Sequence, residues 1–75
     1  MARDSEILVV CLDNSGYEAA LERRKIYVAL PDATASQLGQ LRIVDESGED
    51  YLYPESRFVA VDLPTAVRRA VLQAA

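Results

Sequence analysis

Turn-forming residues interrupt this chain repeatedly, at Asn14-Ser15-Gly16, Pro31-Asp32, Ser47-Gly48 and Pro54-Glu55-Ser56-Arg57. That rhythm leaves room for short strands and for little else until the last stretch of the chain. Glu6 to Asp13 is a β-rich run of nearly continuous apolar character, which predicts a strand covered on both faces over part of its length. Lys25 to Leu30 is a second strand, stopped by Pro31. Gln40 to Glu46 alternates, with Leu41, Ile43 and Asp45 on one side and Arg42 and Val44 on the other, and predicts a third strand. Ser47-Gly48 joins it as a hairpin to a fourth strand over Glu49 to Tyr53. Pro54 to Arg57 turns the chain through a single 3₁₀ turn into a fifth strand over Phe58 to Val61. Tyr17 to Lys25 contains helix-favouring residues but too little apolar periodicity for a helix. It reads as a loop with Leu21 tucked inward. Ala33 to Gly39 is a connection with room for one helical turn.

Only after Asp62 does the period change. Asp62 can cap a helix, Pro64 suits its first turn, and Thr65 to Ala74 contains no breaker. Leu63, Val67, Ala70, Val71 and Ala74 fall on one apolar stripe, with Arg68, Arg69 and Gln73 opposite. That stripe has to bury itself against the sheet or against a partner chain. Five short strands followed by one helix predict a small barrel, which also closes its sheet edges.

Composition narrows the chemistry. The chain has 75 residues, half of them apolar, with one cysteine and no histidine. So short a domain buries only about 60% of its unfolded surface, and no internal disulfide can staple it. Lack of histidine excludes Ser-His and Cys-His nucleophile systems, and no phosphate-cradling or dinucleotide glycine pattern is present. No enzymatic activity, cofactor or metal is therefore expected. Cys11 lies mid-strand and reads as a small buried hydrophobe. The acidic run Asp45, Glu46, Glu49 and Asp50, with Glu55 nearby, fails the Ca²⁺-loop template because Gly48 comes too early in it. It reads as a solvated turn whose charges discourage edge-to-edge association.

A formal net charge of −4 argues against broad binding to a phosphate backbone. The basic cluster Arg23-Arg24-Lys25 reads as a solvated turn between strands. The longest apolar run, Ile7 to Leu12, is six residues, too short for a signal sequence or a membrane span. Met1 to Glu6 carry two acids, and no lipidation motif is present. A cytoplasmic protein with no membrane association is expected.

Particular residues carry a resemblance. Cys11-x-Asp13-Asn14-Ser15-Gly16, then Lys25-x-Tyr27, then Ile43-x-Asp45-Glu46-Ser47-Gly48-Glu49-Asp50-Tyr51-x-Tyr53-Pro54, with Phe58 downstream, resembles a group of small bacterial and phage-borne proteins. Members of that group are expected to form SH3-like barrels and have no assigned activity. The likeness covers roughly residues 8 to 61, judged on motif spacing. The helix is extra to that pattern, and the whole chain is expected to be a single domain over 1–75, with an SH3-like barrel over 6–62 and a C-terminal α-helix over 63–75. A looser similarity is to SH3 domains proper, whose proline-peptide groove resembles the Tyr53-Pro54 and Phe58-Val59 segment. This chain lacks the groove tryptophan, with Leu41 its nearest counterpart. It also has Leu12 and Asn14 where the first-strand aromatic pair would be, and its Asp13 to Leu21 segment is shorter than the acidic SH3 loop.

The aromatics are the strongest functional lead. Tyr51 and Tyr53 are two apart on a strand and share a face. If Leu52 points into the core, both rings face outward beside Pro54, joined by Tyr17 from the first loop and Tyr27 from the second strand. The alternative is that Tyr27, Tyr53 or Phe58 packs the barrel or sits under the C-terminal helix. Exposed tyrosines next to proline make a peptide-binding groove at little entropic cost. The expected function is a non-catalytic protein or peptide interaction module. Its groove comprises Tyr17, Tyr51, Tyr53 and Pro54, with Glu49 and Asp50, together with Glu18, favouring a basic ligand. Two other classes stay open. One is a nucleic-acid-binding barrel using Arg23, Arg24, Lys25, Arg42 and Arg57. The other is a structural homodimer formed through the C-terminal helix.

Overall fold

A computed structural model of the chain describes residues 6–74; the expectations resting on Met1 to Ser5, on Ala75 and on the side chain of Ala74 lie outside it. Alternate residues of β1 (Ile7–Cys11) enter two different apolar clusters. Val9 and Cys11 pack inward with Leu21, Tyr27, Ala29, Ile43, Tyr53 and Phe58, whereas Leu8 packs on the other side with Val28 and Leu72. Coverage on both faces is the physical reason for the continuous apolar run of this strand.

β2 (Ile26–Leu30), β3 (Gln40–Val44), β4 (Asp50–Pro54) and β5 (Phe58–Ala60) complete a single antiparallel sheet in the order β4-β3-β2-β1-β5. β4 and β5 stand at opposite ends of that order, yet the rings of Tyr53 and Phe58 lie 6.3 Å apart. The sheet therefore curls around the inner cluster, with β4 and β5 at its two edges and not paired to each other. The fold is mainly β, a five-stranded SH3-like half-barrel with one C-terminal α-helix, α2 (Thr65–Ala74). A one-turn helix, α1 (Ala33–Gln37), links β2 to β3, and a 3₁₀ turn over Glu55–Arg57 links β4 to β5. No helix among the described residues is long and apolar enough to cross a membrane.

Local chemistry sets the corners. Asp32 caps α1 by accepting from the Ala35 amide at 3.0 Å, and the second oxygen of the same carboxylate accepts from Arg42 Nε at 2.9 Å. At the β3–β4 hairpin the Gly48 amide donates to the Asp45 carbonyl at 3.0 Å, and the Asp45 amide donates to the Glu49 carbonyl, also at 3.0 Å. This is a three-residue loop closed by a left-handed residue, and Gly48 supplies it with φ +84°. A Cβ there would meet no atom within 4 Å. Gly48→Ala is thus expected to lose about 1 kcal/mol through backbone strain alone, read as a lower urea midpoint with an unchanged slope.

α2 packs on the outer face of the sheet, rotated from the orientation its sequence suggests. Leu72 is its buried residue, against Leu8 and Val28, with Leu63 and Val71 partly buried beside it. Val67 is half-exposed and Ala70 exposed, so two members of the expected stripe face away from the sheet. Arg68, expected on the solvent side, is partly buried and donates through Nη2 to the Glu6 carbonyl at 2.5 Å. Leucine offers more apolar surface to the sheet than alanine, and an arginine stem can lie along an apolar face while its head finds a carbonyl.

Candidate functional site

The two tyrosines of β4 share a face, but it is the inner one. Tyr51 is paired with Ile43 and Tyr53 with Leu41, so both follow the side chains that line the barrel, while Leu52 faces outward at 41% exposure. The expectation that Tyr53 faces a ligand is corrected accordingly. Tyr53 is buried, donates to Asp45 Oδ2 at 2.7 Å, and meets Tyr17 edge-on with ring centroids 5.0 Å apart. Tyr51 lies nearer the hairpin tip, where the barrel wall ends, and keeps half its surface in solvent. Its hydroxyl donates to Glu49 Oε1 at 3.1 Å.

The outward aromatic pair expected from the sequence is therefore split. Tyr51, Glu49 and Asp50 stay together at the exposed end of β4. Tyr17 belongs with Tyr53 and with Arg57, whose guanidinium lies over the Tyr17 ring at 5.4 Å. Arg57 also donates to the Ser15 carbonyl at 2.9 Å and pairs with the Asp13 carboxylate at 3.3 Å, which ties down the first loop. Pro54 is half-buried and starts the 3₁₀ turn in an extended conformation.

The acidic run is only partly a solvated turn. Asp45 is buried and also accepts from the Ser47 amide at 2.9 Å and the Ser47 hydroxyl at 2.5 Å. Burial pushes its carboxyl upward, but the bonds from Ser47 and Tyr53 prevail and hold it below the usual carboxylate range. Glu46 takes the Tyr27 hydroxyl at 2.5 Å and the Lys25 ammonium at 2.7 Å, and these partners lower its carboxyl. The Tyr27 hydroxyl in turn accepts from the Glu22 amide at 2.6 Å. Two adjacent carboxylates thus anchor two core tyrosines. The signal for Asp45 was its place in the alternation with Leu41 and Ile43; for Glu46 the sequence offered none.

The basic residues are dispersed and largely committed. Lys25 is paired with Glu46 and Glu22, Arg42 with Asp32 and Asp50, and Arg57 with Asp13. Arg23 and Arg24 are exposed at the turn before β2, where Arg24 adopts φ +71°. Cys11 is fully buried, and burial raises its thiol above the ordinary value, the condition of an unreactive cysteine. Among the described residues no group of three or more acidic or cysteine side chains could hold a metal ion. An open groove of about 470 Å³ lies beside Val71, walled by Ile26, Val28 and Val44, and its charged residues Lys25, Asp45 and Glu46 are engaged as described above. It presents apolar surface with no converging donors and acceptors aimed into it.

No protein-family model, curated protein or solved structure matches the chain.

Proposed function

We propose that this chain is a non-catalytic protein-interaction module, an SH3-like barrel of the kind its motifs resemble in small bacterial and phage-borne proteins, acting in the cytoplasm. The observation that carries the proposal is the exposed end of β4. Tyr51 and Leu52 keep 50% and 41% of their surfaces in solvent on adjacent positions of one strand, flanked by Glu49 and Asp50. A rigid ring and an apolar side chain on a firm strand are good contact groups, because little conformational freedom is lost when they are covered. Tyr53, two positions along on the same face as Tyr51, fixes the strand through its bond to Asp45.

Charge pairing weighs against the nucleic-acid reading. Three of its five cations already face carboxylates, which leaves no continuous positive stripe to displace counterions. The helix-mediated homodimer is disfavoured because α2 places Leu72 on its own sheet.

A peptide array and pull-down with the intact chain test the proposal. Tyr51→Ala is expected to abolish capture of the partner peptides while moving stability by no more than about 0.5 kcal/mol, as for an exposed site. Capture that survives Tyr51→Ala, or binding of oligonucleotides that fades with salt, would transfer the function elsewhere.

A further inference from the structure

We infer that β4 receives its partner as an added strand, and that the partner is an extended peptide segment bearing lysine or arginine; this rests on the interaction-module reading above. The phase of the β3–β4 ladder is set at both ends. The Asp45 amide bonds the Glu49 carbonyl, and the Glu55 amide bonds the Gly39 carbonyl, each at 3.0 Å. In an antiparallel pair, bonded and non-bonded positions alternate. With the observed register the bonded pairs are Ile43 with Tyr51 and Leu41 with Tyr53, so Asp50, Leu52 and Pro54 are the non-bonded positions. Asp50 and Leu52 therefore direct both their amides and their carbonyls away from β3. β4 is the terminal strand of the sheet, and no other backbone of the described residues bonds those amides. Pro54, which has no amide, ends the row of donors.

Such an edge is a template for strand addition, in which backbone bonds supply affinity and alternate side chains supply selectivity. The side chains on one face of this edge select for positive charge, since Glu49 has no ion-pair partner there among the described residues while Asp50 on the other face is met by Arg42. Glu49 and Tyr51 lie on one face, Asp50 and Leu52 on the other. Among the described residues no ion pair involves Glu49 or Glu55, while Asp50 shares its carboxylate with Arg42 at 2.8 Å. A cation on the incoming strand would meet Glu49 and the Tyr51 ring together. A second copy of this chain is a poor occupant. Pairing two β4 edges about Leu52 would set Glu49 against Glu55 of the other copy, and like charges directly opposite are repelled.

The test uses an acetylated and amidated hexapeptide, Val-Lys-Arg-Val-Thr-Val, followed by ¹⁵N-HSQC and calorimetry on the intact chain. Two further versions carry N-methyl groups on alternate residues, one set in each register. The expected result is movement and slowed exchange of the Asp50 and Leu52 amides with the parent peptide. One methylated version loses about tenfold or more in affinity, the other binds like the parent, and replacement of Lys and Arg by Glu abolishes binding. Binding around Tyr51 that is indifferent to the methylation register would overturn strand addition while leaving the interaction module standing. No perturbation over residues 49–55 with the parent peptide at about 1 mM would overturn this inference as well, and the array result with Tyr51→Ala would then decide the module separately.

Discussion

Leu21→Ala is expected to leave the chain largely unfolded at room temperature. Leu21 is fully buried although it sits in the loop between β1 and β2 rather than in a strand. It packs into the inner cluster with residues from every strand of the sheet. Its backbone is held on both sides, with its amide donating to the Tyr17 carbonyl at 2.8 Å and its carbonyl accepting from Asn14 Nδ2 at 3.0 Å. A loop held this way cannot collapse freely into the space a truncated side chain would leave, so most of the cavity cost is retained. Leucine-to-alanine changes at such sites cost about 2–5 kcal/mol. A domain of this size rarely has more than ~5 kcal/mol to lose. Far-ultraviolet circular dichroism and urea titration should show little or no cooperative transition for the variant. Leu38→Ala is the control, since Leu38 is 69% exposed and its loss should stay within about 0.5 kcal/mol. A wild-type midpoint for Leu21→Ala would mean that the loop does not contribute to the core.

The same residue shows where local reading succeeds. Leu21 is the large apolar residue in a polar stretch between two strands, and hydrophobic burial alone directs it inward. The strands were equally readable, because the punctuation by Gly16, Pro31, Gly48 and Pro54 reflects backbone geometry that these residues favour locally. Two features depend on partners distant in sequence and were not readable. The rotation of α2 is decided by which side chains fit over Leu8 and Val28 and by the Glu6 carbonyl that takes Arg68. The face of β4 that turns inward is decided by the curl of the whole sheet, so period-2 alternation could pair Tyr51 with Tyr53 but could not choose between inside and outside. The buried acceptors follow the same logic. Asp45 and Glu46 look like hairpin charges until the Tyr53 and Tyr27 hydroxyls, from β4 and β2, arrive beside them. The candidate site was therefore half anticipated. Tyr51, Glu49 and Asp50 remain together, while Tyr17 and Tyr53 serve the core.

Those buried phenols predict how the domain fails in alkali. Tyr53 is pushed up to about 12, first by burial and then by the Asp45 carboxylate that its proton bonds. Tyr27 is raised in the same direction, by burial and by Glu46. In the unfolded chain both would ionise near the ordinary value of about 10. Above that pH the folded state holds more protons than the unfolded one, so stability falls as pH rises. The contribution is fully present below about pH 10 and is lost progressively as pH rises toward 12. For Tyr53 alone the difference corresponds to ~3 kcal/mol, and Tyr27 adds to it with the same sign. Cooperative unfolding is therefore expected between about pH 10 and 12, within the ~5 kcal/mol available to so small a domain. Phenolate absorbance and circular dichroism followed together measure it. Of the four tyrosines, Tyr27 and Tyr53 should ionise only as the dichroism collapses, whereas half-exposed Tyr51 titrates on the folded chain. Tyr53→Phe removes one of the two alkaline contributions and leaves Asp45 with Ser47 as its only partner. It should cost about 1–3 kcal/mol at neutral pH and make the remaining loss above pH 10 shallower. If Tyr53 and Tyr27 titrate near the ordinary value of about 10 with the dichroism intact, they are not held by Asp45 and Glu46.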